Sequence, residues 1–172
     1  NTSERRGLLT VIESLKIIRN TIPDIKLLII GKSSFDDVLK NEIKKHDIEE
    51  LVDFIGWVKE NEIPKYLSIS KLGLSPLHRN IHHDTTYANK IFQYISFGCP
   101  IVSSNVTAQS ELIKKYNIGV VFEDRNVMDL TKKIIQLYNE KDLFEKYRAN
   151  CNKSIKRLNN SVISNQLISI YE

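Results

Sequence analysis

At 172 residues, 41% hydrophobic and 27% charged, the chain has the bulk for one ordinary globular domain with a real core. No run reaches membrane-span length and the N-terminus is polar, so the sequence reads as free of both a transmembrane helix and a signal peptide. A net charge of +4 suits an anionic small ligand or an anionic membrane surface and falls short of a nucleic-acid footprint.

In chain order, Leu8, Val11, Ile12, Leu15 and Ile18 recur at helical spacing, with Pro23 closing the helix. Lys26 to Ile30 is an apolar run ending at Gly31, as in a strand buried on both faces. Phe35 to His46 reads as a helix, Leu51 to Ile55 as a strand ending at Gly56, and Glu60 to Ile69 as a helix. Leu72 to Ser75 is a strand stopped by Pro76, and His78 to Thr86 a polar loop. After a central helix and a strand at Ile101, the pattern predicts helix from Gln109 to Tyr116, strand from Gly119 to Phe122, helix from Val127 to Tyr138, and helix again from Lys141. Such alternation with short connections predicts a doubly wound α/β domain: a parallel sheet with helices on both faces, and ligands beyond the carboxyl ends of the strands. A first strand is expected before the helix at Leu8, so the chain reads as part of something longer. Cys99 and Cys151 show no metal spacing, read as packed thiols and suit a reducing, cytoplasmic compartment.

The central helix organises the rest. Ala88, Ile91, Phe92 and Ile95 form one apolar face, with Lys90, Gln93 and Phe97 on the other. Gly98 suits a positive-φ helix end and Pro100 forbids continuation. The N-terminus of this helix, with its free N–H groups, suits a phosphate. Lys90, opposite the apolar stripe, is expected to cost the fold little when removed. Read alone, Lys90, Gln93 and Arg6 are equally well solvated surface residues, and His82-His83-Asp84 lacks a further ligand, so no metal is expected.

Phe54-Ile55-Gly56-Trp57-Val58, then Ile63, Tyr66 and Pro76, then the run Asn89-Lys90-Ile91-Phe92-Gln93-Tyr94 through Gly98-Cys99-Pro100-Ile101-Val102 resemble the group 1 glycosyltransferases. These are retaining enzymes of the GT-B fold that use nucleotide-sugar donors. The resemblance covers the whole chain but only the C-terminal half of such an enzyme. It implies a Rossmann-like donor-binding domain over residues 1–172, lacking its first strand and the N-terminal acceptor domain. It further implies a nucleotide-diphosphate sugar as donor, a glycan or lipid as acceptor, no tightly bound cofactor, and a cytoplasmic location that extends to the inner face of the membrane as a peripheral protein.

By the same resemblance, Arg6 and Lys90 face the departing diphosphate. Gln93 stands where the family has a glutamate that accepts from the ribose, and Thr85 where it has a glutamate contacting the transferred sugar. Thr86 and Tyr87 replace a glycine-rich turn near the phosphates. Gly56, Trp57, Pro76 and Asn89 complete the implied donor contacts, with Trp57 at the cleft rim beside the base. The cation that often stands five residues before Arg6 falls at Asn1. Two rival expectations are a non-catalytic nucleotide-sugar-binding or interaction module, motivated by Thr85 and Gln93, and a sugar-nucleotide epimerase of the same fold.

Overall fold

The computed structural model describes residues 2–158. A short 3-10 turn, Glu4–Arg6, leads through Gly7 into α1 (Leu8–Ile18). Then follow β1 (Leu27–Ile30), α2 (Asp36–Lys45), β2 (Val52–Gly56), α3 (Ile63–Ile69) and β3 (Gly73–Ser75). After β3 come α4 (Ile81–Thr85), α5 (Asn89–Ser96), β4 (Ile101–Ser104), α6 (Thr107–Tyr116), β5 (Gly119–Phe122), α7 (Val127–Asn139) and α8 (Lys141–Leu158). Every strand is found where an apolar run is bounded by glycine, proline or polar residues. The expected α/β alternation is present.

The segment expected to be a polar loop, His78 to Thr86, contains α4. Its start is made by Asn80, whose side-chain oxygen accepts from the His83 N–H at 2.8 Å and so satisfies a free donor of the first turn. The His83 ring is buried and its Nδ1 lies 2.8 Å from the His78 carbonyl. A polar composition therefore conceals a helix held by its own polar side chains.

The strands are parallel and pair in two groups, β1 with β2 and β3–β4–β5. Leu27 stands opposite Val52, Gly73 opposite Ile101, and Ile101 opposite Gly119. One apolar cluster joins α1, α2 and α7 to the strands through residues such as Ile12, Leu39, Phe122 and Leu130. A second joins α5, α6 and α8 through Ile91, Ile95, Ile113, Ile118 and Cys151. Among the described residues no helix is long and apolar enough to cross a membrane.

Candidate functional site

The site forms where α5 and the turn before α1 meet. Ile91 and Ile95 are buried, and each fully buried isoleucine stabilises the packed helix by roughly 1.5–3 kcal/mol. Tyr94 completes the inward face: its hydroxyl donates to the Leu74 carbonyl at 3.1 Å, and its ring lies where a side chain on Gly73 would have to be. Helix α5 is thus pinned over β3. Its N-terminal residue Ala88 offers no side-chain cap, so the first turn opens with donors that no side chain of the cap position satisfies. Helix α1 likewise starts without a side-chain cap, immediately after Gly7.

Gly7 fixes Arg6. Its φ is +70°, and a Cβ there would lie 1.7 Å from the Pro76 carbonyl oxygen, so only glycine allows this approach. The His78 N–H donates to the Arg5 carbonyl at 3.0 Å, fastening the same turn to the loop beyond β3. Arg6 Nε is buried and has no hydrogen-bond partner among the described residues. Burial, with Arg5 nearby, holds the Arg6 guanidinium below its ordinary pKa.

Lys90, which read alone could equally be a solvated surface lysine, is not a freely exposed one. It is only partly exposed, and burial, reinforced by the Arg6 charge, pushes its ammonium down to about 7. The helical wheel puts Lys90 opposite Ile91 and Ile95, and it does not see Arg6, whose charge reaches Lys90 from the turn before α1. Neither Arg6 nor Lys90 has a carboxylate partner among the described residues. Two neighbouring cations with no carboxylate partner among the described residues, beside uncapped helix starts, are an arrangement that can accept an anion.

Arg6, Thr86, Tyr87, Asn89 and Lys90 line one cavity of about 1340 Å³. Tyr87 packs edge-on against Phe92, ring centres 6.0 Å apart. Gly56, Trp57, Pro76, Thr85 and Gln93 are outside that lining. Pro76 is buried under Gly7, Trp57 is 72% exposed, and Gln93 is partly exposed. Thr85 ends α4, and its hydroxyl donates to the Ile81 carbonyl of the same helix at 2.8 Å. Asn1 lies outside the described residues.

Asp84, beside Thr85, has structural work. It accepts from the Thr107 N–H at 2.8 Å and the Thr107 hydroxyl at 3.0 Å, capping α6 from a distance, and pairs with Arg79 at 3.3 Å. The Thr107 backbone hydrogen bond, chiefly, holds its carboxyl below the ordinary value. A depressed carboxylate contributes stability above its unfolded pKa and loses it as pH falls through the folded one. Asp84→Asn is therefore expected to melt below wild type at neutral pH, with the gap closing as pH falls into the acid range. Melting curves across pH check this; a gap constant with pH returns Asp84 to the surface.

Three placements escaped the sequence reading. Tyr94 stands three residues after Ile91 and just before Ile95, so helical periodicity carried a signal for its inward face. The Thr2 hydroxyl, 2.9 Å from Ser33 Oγ, and the His78–Asp124 pair at 2.8 Å join residues distant in sequence, and no local pattern announces them.

With this geometry established, comparison with known proteins gives consistent results. The family model described as "Glycosyl transferases group 1" matches residues 1–157. The amylovoran biosynthesis glycosyltransferase AmsK of Erwinia amylovora is 25% identical over 172 residues, covering 99% of this chain and 42% of AmsK. The chitobiosyldiphosphodolichol beta-mannosyltransferase of Candida glabrata is 24% identical over 145 residues, covering 80% of this chain and 31% of that protein. Among solved structures, HepE of Anabaena, crystallised in complex with UDP, superposes with a TM-score of 0.84 at 17% identity, over 98% of this chain and 45% of HepE. The chain thus spans less than half the length of each of these relatives.

Proposed function

We propose, from the premise that this chain belongs to the group 1 glycosyltransferases, that it is the donor-binding half of a retaining enzyme. That enzyme transfers a sugar from a nucleotide-diphosphate sugar to a glycan or lipid acceptor, with the acceptor held by an N-terminal domain beyond this chain. The observation that carries the reading is the pair Arg6, before α1, and Lys90, at the start of α5, without a carboxylate partner among the described residues. Cations fixed where negative charge grows on the departing diphosphate lower the barrier without moving during reaction. Thr86, Tyr87 and Asn89, which share the cavity, border the phosphates, and Gln93 reaches the ribose. The UDP in the HepE crystal supports a nucleotide-sugar donor, and the amylovoran biosynthesis in the name of AmsK supports a biosynthetic glycosyl transfer.

Residues 1–172 alone are expected to bind a nucleoside diphosphate weakly and to transfer nothing, since half the cleft is elsewhere. Calorimetry with UDP, GDP and ADP and their sugars tests this. Sub-micromolar binding or turnover by the chain alone overturns the two-half reading. No binding at all favours a non-catalytic interaction module, motivated by Thr85, which is committed to its own helix, and by Gln93.

Gln93→Glu is expected to tighten nucleoside binding by about 1 kcal/mol, because a carboxylate accepts a ribose hydroxyl more strongly than an amide does. Equal gains for ribo- and 2′,3′-dideoxynucleotides exclude a ribose contact.

A further inference from the structure

Within α4, His82 and His83 line the cavity that Arg6 and Lys90 also line, and Thr85 does not. His83 is the fixed one of the two. It is 3% exposed, and its Nδ1 lies 2.8 Å from the His78 carbonyl oxygen. A carbonyl only accepts, so Nδ1 carries the proton of that bond. The Asn80 amide nitrogen, 3.0 Å from Nδ1, has a hydrogen of its own and donates to the same carbonyl at 3.3 Å. In the neutral ring Nε2 then holds a lone pair, and it has no hydrogen-bond partner among the described residues.

The frame around this ring is held from both sides. His78 donates its N–H to the Arg5 carbonyl at 3.0 Å, and its own ring lies 2.8 Å from Asp124. Asp84, the next residue after His83, accepts from the Thr107 N–H at 2.8 Å. His83 is thus anchored to the same turn that carries Arg6. A nearly buried acceptor left without a donor costs free energy, and a ligand that brings a hydrogen removes that cost.

Resting on the donor-binding role proposed above, we propose that His83 Nε2 accepts a hydrogen bond from a hydroxyl of the sugar being transferred, and so helps to set which sugar is bound. The lone pair decides the ligand chemistry. An ionised phosphate offers no proton and two acceptors repel, so the diphosphate belongs against Arg6 and Lys90, and a hydroxyl against Nε2. The Thr85 hydroxyl, at the position implied for the sugar contact, donates to the Ile81 carbonyl of its own helix at 2.8 Å. Two residues earlier, His83 lines the cavity instead. A sugar lacking the matching hydroxyl leaves Nε2 unpaired, which is how a buried polar group discriminates between analogues.

The test compares His83→Asn with wild type in residues 1–172. Asparagine keeps an N–H for the His78 carbonyl and has no atom in place of Nε2. The probes are whichever of UDP, GDP and ADP binds tightest, and its glucose, galactose and mannose conjugates. By calorimetry, His83→Asn is expected to weaken the tightest conjugate about two- to tenfold, the worth of one neutral hydrogen bond, and to leave the diphosphate within about twofold. Removing the sugar hydroxyls one at a time should cost wild type a similar factor at one position and cost His83→Asn nothing there. Equal loss for diphosphate and conjugate, or no loss for either, overturns the sugar contact and leaves the diphosphate site standing. A wild type that binds no diphosphate overturns both. Nitrogen NMR of wild type decides the matter even if His83→Asn does not fold: the Nε2 resonance of His83 should move when the conjugate replaces the diphosphate. An Nε2 resonance that is the same with both ligands overturns the proposal.

Discussion

Replacing Lys90 with methionine is expected to weaken diphosphate binding by roughly 1.5–3 kcal/mol, about ten- to a hundredfold, the worth of a hydrogen bond to a charged group. Methionine keeps the apolar stem in place and removes the ammonium. The loss should grow from nucleoside to monophosphate to diphosphate, because an uncharged nucleoside gives the lysine no partner. Equal loss across the three means a disturbed pocket, and no loss returns Lys90 to solvent. The same substitution changes the response of the free protein to pH. The folded lysine releases its proton near pH 7, well below the ordinary lysine value, so between those two values the unfolded chain holds the extra proton. Stability of wild type therefore rises with pH across that window, and the rise is absent in Lys90→Met. Unfolding curves from about pH 6 to 10 show whether the two proteins differ in slope as expected.

Gly7→Ala is expected to be the more damaging change to the fold. The methyl would lie 1.7 Å from the Pro76 carbonyl oxygen, at a φ of +70°. The left-handed conformation costs an alanine about 1–2 kcal/mol, and displacing the backbone to relieve the overlap roughly 1–3 kcal/mol more. Since the turn also aims Arg6, diphosphate affinity should fall with stability. Denaturant titration and calorimetry on one preparation measure both. A protein of unchanged midpoint shows that the turn moves freely over Pro76 and does not fix the cation.

The fold was readable because its signals are local. Val-Val-Phe after Gly119 and Leu-Leu-Ile-Ile before Gly31 are apolar runs with punctuation, and α1 and α7 have clear helical periodicity. Helix α4 was missed because its cap is a side-chain bond from Asn80 and its buried member is a histidine, a residue type as common in loops. The central motif located the start of α5 and marked Lys90, while the Lys90 environment depends on a turn eighty residues earlier that no helical wheel includes. Asp84 shows the same limit: beside Thr85 in sequence it reads as a neighbour of the sugar position, and in space it caps α6. Sequence patterns report which face a residue occupies on its own element; what covers that face is set by the contacts of distant segments.

The most direct test of a cation pair awaiting an anion is the proton balance of binding. At about pH 8 a lysine titrating near 7 is mostly neutral, while a nucleoside diphosphate is already deprotonated. Binding UDP by calorimetry in two buffers of different ionisation enthalpy should then reveal uptake approaching one proton, absent for uridine and absent in Lys90→Met. Binding of UDP with no proton uptake in wild type, or the same uptake in both proteins, contradicts the placement of the diphosphate against Lys90.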